Sequence, residues 1–533
     1  MKTRKSFIFH IPLLVIIFAV SFSTLFAQRQ AQIVDIHNFG ASKSFGSRHS
    51  SSQSVWDHIE HDCSYNFQKT IVDAFNEMAK ESQADFRSMI DAGSPFTCVS
   101  FEPLEKPFLK PAYMGRDELK GTLSCLTGVL TFDAIAFVQD IDYFADFIKF
   151  YTFLKEQSKS EYQYYGKTYS FSIIDSKEKL KSVMNNPQEL GVILTISGGH
   201  TLGHSLYIDN YLTEDIEYVN LVMNNIRRLK GAIPLYENTD EYMAHPVLFI
   251  SPASYFENGF CGSAQSWSDE QVEHFSRQTH INKGFSKLGS TILHQLLSKD
   301  AGRRILVDVS QMSLLSRQQY YDFVIESRKN GDNIPIVASH VGISGMSWDD
   351  SFYANPDRKQ KKIKTYLNHN SVNLSREDIL AIYESEGIIG ITMNQSLMCG
   401  DLVKDEIKDI IPGSSQFRKA YLKSILANVF TVVKSIDNRF AWDIIALGSD
   451  FDNMMSPVPM YSNTEEMPDL MEDIVDFLNN PEDIYDVFSE HEVKRLMFGI
   501  SPDALVSKVF STNAIRFVER NLPEYTFAKS NQD

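Results

Sequence analysis

At 533 residues, 43% of them hydrophobic, the chain can bury a large core, and a barrel with inserted loops can use that length as one domain. The formal net charge of −17 excludes a nucleic-acid partner, since neutralising phosphates takes clustered Lys and Arg. Five scattered cysteines (Cys63, Cys98, Cys125, Cys261, Cys399) form no CxxC pair and no regular framework; one or two disulfides fit, with an odd thiol left over.

The chain begins with a basic cluster, Lys2, Arg4 and Lys5, followed by the apolar run Phe7–Phe22 and a cleavage-like segment ending at Ala27. That order is the layout of an export signal. Residues 1–27 are expected to be removed, leaving a mature domain at 28–533 with a net charge of −20 in the periplasm or outside the cell. No later run reaches the ~18 apolar residues of a membrane span.

Eight short apolar, β-branched runs follow: Ile33–His37, Thr97–Phe101, Gly191–Ile196, Val247–Ser251, Ile305–Val309, Ile334–Ser339, Gly387–Thr392 and Ile444–Gly448. Most lack an alternating polar face, as parallel strands covered on both sides do. Helical patterning lies between them at Phe67–Ile90, Thr201–Lys230, Phe285–Lys299, Leu314–Lys329 and Gln416–Ser435. Another helix is signalled by Ser375 as N-cap with Asp378 three residues on, stopping at Gly387. Eight strands alternating with helices predict an α/β fold, a (β/α)8 TIM barrel; an open doubly wound sheet is the alternative. Insertions are expected near 105–190, 343–372, 400–415 and 453–490, with a small hairpin at Tyr162–Ile174.

Barrels place chemistry at strand C-termini. His37 ends the first strand, His340 the sixth, and Asp450 follows the eighth, so two imidazoles and a carboxylate share a rim. These are zinc-ligand types, and they also suit a hydrogen-bonded polar cluster.

In order, Asp35-Ile36-His37, Ile196-Ser197-Gly198-Gly199-His200, Asp308-Val309-Ser310-Gln311, Ala338-Ser339-His340 and Gly448-Ser449-Asp450-Phe451-Asp452 resemble the successive motifs of the membrane (renal-type) dipeptidases. Tyr255-Phe256-Glu257-Asn258 with Cys261-Gly262-Ser263-Ala264 is similar to a segment of the family's bacterial branch. The resemblance implies an amidohydrolase-like barrel, two Zn2+ ions and dipeptide hydrolysis, with a dipeptide or other small molecule as partner. It also implies six ligand positions. His37, His340 and Asp450 match three, with Asp450 and His340 in the catalytic roles. Phe39, Ser197 and Gln311 occupy the other three and cannot replace imidazole and carboxylate donors. The family's substrate-contacting histidine is replaced near Ser254, and Asn368–Leu374 holds no arginine for a substrate carboxylate.

Impaired two-zinc catalysis is therefore expected, in a barrel that acts as a binding protein. The alternatives are a hydrolase using one metal at His37 and Asp450 with His340 as acid–base, and a structural exported protein without a ligand. His200 with His204, and His58 with His61, have spacings that suit two ligands, but neither pair carries an HExxH glutamate. Asp452 is expected to support the strand-end turn, and Ser254, Glu257 and Gln265 to line a pocket or a loop. Ser310 and Ser339 stand beside strand ends without a GxSxG elbow.

Overall fold

The structure, a computed structural model, describes residues 32–46, 54–60, 81–109, 140–210, 212–266, 281–300, 302–350, 353, 364–453, 455–484 and 487–523. The expected export segment, His61, Cys63, Cys125 and the 67–80 part of the first expected helix lie outside these residues. The fold is α/β. Its strands are β1 (Phe96–Phe101), β2 (Tyr162–Tyr164), β3 (Lys167–Ile173), β4 (Glu189–Ile196), β5 (Val247–Ile250), β6 (Leu306–Val307), β7 (Val337–Val341), β8 (Ile388–Ile391) and β9 (Ile445–Leu447). They form one sheet of β1 to β6 and a second of β7-β8-β9; every pairing is parallel except the β2–β3 hairpin.

Seven of the eight expected strands are present, with ends shifted by up to three residues. Their apolar runs are buried on both faces, as the missing alternation predicts. The hairpin at Tyr162–Ile174 is also present, but β3 additionally lies parallel to the first half of β4.

The first expected strand, Ile33–His37, differs. The chain bends at Ile36 and His37 and makes isolated parallel bridges, Asp35 to Leu447 and Asn38 to both Val99 and Phe451. The Asp35 carboxylate accepts from the His37 amide at 3.0 Å, a local bond that competes with a regular ladder. The segment still joins its neighbours: Ile36 N–H donates to Leu447 O at 3.0 Å and Cys98 N–H to Asp35 O at 2.9 Å. A second seam runs between β6 and β7, where Asp308 bridges Val337 and Val309 N–H donates to Val337 O at 2.8 Å.

One apolar cluster takes Val34 and Ile36 from the bent segment, Phe96 and Cys98 from β1, Ile193 from β4, Leu248 from β5, Leu306 from β6, Val337 from β7, Ile388 from β8 and Ala446 from β9. It also holds Ala514, Phe517 and Val518 of the helix Asn513–Asn521. These residues lie toward the starts of their strands, opposite the ends carrying the candidate site. A larger cluster packs the helices onto the outside.

The helices Lys287–Leu297, Leu314–Lys329, Arg376–Glu384 and Ser415–Ile436 stand where the pattern predicts, the third with the Ser375/Asp378 capping box. Thr201–Lys230 is not one helix. It divides into Gly199–Leu202, Ser205–Asp209 and Ile216–Leu229, with His204 and Asp215 capping the later two starts. The break brings Gly203 onto Tyr218, whose Oη lies 2.2 Å from where a Cβ would stand, a contact that hydropathy cannot reveal. Cys98, Cys261 and Cys399 are free and buried, and among the described residues no helix is long and apolar enough to cross a membrane.

Candidate metal centre at the strand ends

Two buried carboxylates underpin the rim, one at each seam. Asp35 accepts from His37 N (3.0 Å), Ser449 N (3.0 Å), Ser449 Oγ (2.5 Å) and Asn38 Nδ2 (3.3 Å). Asp308 accepts from Ser310 N (3.0 Å), Ser310 Oγ (2.8 Å), Ser339 N (2.9 Å), Ser339 Oγ (2.6 Å) and Ser251 Oγ (2.5 Å). The two are built alike: an aspartate binds the amide two residues on, then the amide and hydroxyl of a serine across the seam. Those serines immediately precede Asp450 and His340. Burial holds Asp35 at about 6 despite its hydrogen bonds.

His37 and His340 stack with ring centroids 3.9 Å apart, 17° from parallel, and both are buried. The Ser339 hydroxyl lies 2.8 Å from His340 Nδ1 and 3.2 Å from His37 Nδ1, and its one proton goes to Asp308. His340 Nδ1 must therefore donate to it, which puts a lone pair on its Nε2, and His37 takes the same tautomer when its Nδ1 donates to Ser339 or to Ser100. Ser100 Oγ, 3.0 Å from His37 Nδ1, completes this support. Fixing Nδ1–H on an oxygen and leaving Nε2 open is how ligating histidines are oriented.

His37 Nε2 is buried without a hydrogen-bond partner among the described residues and lies 3.8 Å from Asp450 Oδ1. That is too long for a hydrogen bond. Two ligands of one four-coordinate zinc stand about 3.3 Å apart, from bonds of roughly 2.0–2.1 Å, so a small adjustment lets a shared cation fit. Burial, and His340 beside it, pushes His37 well below the usual histidine value, so the ring is neutral as a ligand must be. Burial also raises Asp450, whose oxygens are held by Asn453 Nδ2 (2.9 Å) and Asn394 Nδ2 (3.3 Å). Ligand atoms of His37, Asp308 and His340 also lie within 4.8 Å of one another. Asp308 is nonetheless a poor ligand, because five donors already fill its roughly four lone-pair positions. Among the described residues His37, Asp308 and His340 are the group whose ligand atoms converge, and Asp450 approaches it through His37, at 3.8 Å.

The three replaced positions offer nothing for a second. Phe39 packs edge-on against His37 at 5.2 Å and 88°. Ser197 is buried, and its hydroxyl bonds to Glu102. Gln311 sits at φ 65° with Oε1 buried and unpartnered among the described residues, a neutral donor where an imidazole is expected.

The other sequence candidates separate from the site. His204 Nδ1 caps its own helix at Leu206 N (3.1 Å). His58 pairs with Asp85 at 3.1 Å. His200 donates Nε2–H to Pro103 O at 2.8 Å, and burial lowers it to about 4. Asp452 accepts from Gln83 N and Ala84 N and pairs with Lys43, holding the turn. Ser254 joins the rim by donating to Glu102 Oε1 at 2.6 Å.

Glu102 is the functional candidate that sequence reasoning missed. It directly follows β1, bonds to the Ser254 and Ser197 hydroxyls, and interacts electrostatically with His340 and Asp450. Burial raises it above the ordinary carboxylate range. Behind it Glu105, pushed up to about 8 by burial and by Glu102, accepts from Phe256 N at 3.2 Å. Its signal in sequence is an acid placed between an apolar strand and Pro103.

No family model matches the chain. No curated protein matches it. Among solved structures it is similar to dipeptidase AC, described as a metallopeptidase of family M19, at 11% identity over 92% of this chain and 99% of that one, with a TM-score of 0.47. It is likewise similar to the probable dipeptidase PvdM from Pseudomonas aeruginosa (13%, 96% and 99%, 0.44). A third is a metallopeptidase from Rhodobacter sphaeroides liganded with a phosphinate mimic of the dipeptide L-Ala-D-Ala (11%, 92% and 99%, 0.47).

Proposed function

We propose that the chain is an exported member of the membrane dipeptidase family, a closed (β/α)8 barrel at 28–533 behind a cleaved signal at 1–27. Its two-zinc site is reduced to one Zn2+ centre at His37, His340 and Asp450, and its substrate is a dipeptide or a similarly small amide. Closure is supported by the hydrogen-bonded seams on both sides of the second sheet and by the apolar layer drawing on the bent segment, β1 and β4 to β9. The observation that carries the metal reading is the buried, unpartnered His37 Nε2 aimed at Asp450, with its Nδ1 already fixed.

When bound, the ion would polarise an amide carbonyl and acidify a water. Asp450, with its carboxylate raised by burial, accepts a proton from the attacking water and returns it to the leaving amine. His340 is held through Nδ1 by the Ser339 hydroxyl, which is itself bonded to Asp308. The test is metal content after incubation with excess Zn2+, with hydrolysis of a dipeptide set. One ion per chain and metal-dependent cleavage are expected; two ions or none would overturn the proposal.

A second reading, a metal-free binding protein, is favoured by Phe39, whose ring covers His37 with an apolar edge. Ligand binding unaffected by chelator would select it.

A further inference from the structure

We propose that Glu102 supplies the carboxylate of this centre, delivered from β1 in place of the acid missing at Ser197 on β4. The inference rests on the single-metal reading above and adds a fourth protein ligand to it, so the water of that reading would need the fifth position to which zinc can expand.

The register carries the argument. β1 and β4 pair in parallel from Phe96↔Gly191 to Phe101↔Ile196, so Glu102 and Ser197 are the next residues side by side on neighbouring strands. Alternation puts both on the inner face. Phe96 and Cys98 belong to the inner apolar cluster, as does Ile193 on β4. One layer up, Ser100 and Thr195 meet at 2.5 Å. Glu102 and Ser197 form the layer above, at the rim. A carboxylate on a longer side chain can thus reach, from one strand over, the space that an acid at 197 would fill.

The surroundings are shaped for it. Ser254 donates to Oε1 at 2.6 Å, and the small Ser197 adds its own hydroxyl. At Gly198, φ 83°, a Cβ would meet the His200 ring first, 2.4 Å from Cε1, and would stand 3.2 Å from Glu102 Oε1. Two hydroxyl donors leave lone pairs of the carboxylate free. His340 and Asp450 are close enough to interact with it electrostatically. A Zn2+ ion held by two neutral imidazoles and one carboxylate keeps a positive charge, which a second carboxylate cancels.

The test uses the purified full-length protein, Zn2+ affinity by chelator competition, and the visible spectrum of the Co2+ form. Glu102→Gln is expected to lose at least about 100-fold in affinity, at or beyond the upper end of the ~10–100-fold of outer-sphere changes, and to shift the Co2+ bands. Moving the acid back with Glu102→Ser/Ser197→Glu is expected to recover most of the affinity, which a merely structural role for Glu102 would not allow. Thermal melts identify a variant that fails by unfolding, in which case Glu102→Asp carries the comparison and is expected to give intermediate affinity. Unchanged affinity and spectrum in Glu102→Gln, alongside metal loss in His37→Ala, would overturn this proposal and leave the single-metal centre standing. No metal bound by the wild type would overturn both.

Discussion

Asp308→Asn isolates the hydroxyl relay beneath His340. On the Oδ1 side the carboxylate meets two amide N–H groups, Ser310 and Ser339, whose polarity cannot reverse. An asparagine must place its carbonyl there. Its NH2 then faces Ser251 and Ser339, whose hydroxyls can rotate to accept. Ser339 is left with a proton to donate, and the nearest acceptor is His340 Nδ1 at 2.8 Å. The imidazole changes tautomer and presents N–H, not a lone pair, at Nε2. Binding a metal then requires undoing that bond without the carboxylate's charge, a cost of about 1.5–3 kcal/mol, or roughly 10–150-fold in affinity. Stability is expected to fall by no more than about 1–2 kcal/mol, since the amide bonds persist. Chelator competition measures the affinity, urea denaturation the stability, and 15N shifts of the apo imidazoles the tautomer. An asparagine variant with wild-type affinity and Nδ1–H retained would refute the relay.

Three further outcomes follow from buried groups. Glu105, held at about 8, binds a proton in the folded state that it lacks when unfolded between roughly pH 4.5 and 8, so it lowers stability as pH rises through that window. His200, at about 4, has the opposite slope between roughly 4 and 6.5. Their contributions oppose each other below 6.5, and a decline should remain from 6.5 to 8; Glu105→Gln should flatten it in urea titrations at stepped pH. Gly448→Ala would place a Cβ 1.8 Å from the Ser339 carbonyl oxygen and should cost more than about 3 kcal/mol, read as lost soluble expression or a collapsed melt. Arg317 is fully buried against Asp378 at 3.1 Å, so Arg317→Met should destabilise by about 3–5 kcal/mol in urea while leaving metal affinity intact.

The strands were legible because runs such as Gly191–Ile196 are apolar at nearly every position, which only a doubly covered strand tolerates. The bent Ile33–His37 segment misled because its hydropathy is that of a strand, while the Asp35 side chain takes up amides that a ladder would use. Likewise nothing in the composition of Thr201–Lys230 announces the Gly203–Tyr218 contact. In the site, His37, His340 and Asp450 could be read from their strand-end positions. Glu102 escaped because its role depends on register with Ser197, and Asp35 and Asp308 because their hydrogen-bond partners across each seam lie more than 25 residues away in sequence.

The paired aspartate bridges separate holding the shape from equipping the mouth. Phe39 and Gln311 follow the carboxylates that knit the seams, Ser197 follows β4 away from both, and no seam-crossing hydrogen bond described above uses their side chains. A protein engineer can therefore treat the mouth as a socket, fitting new donors at those three places for another cation or a bare organic guest while the staves beneath stay fastened.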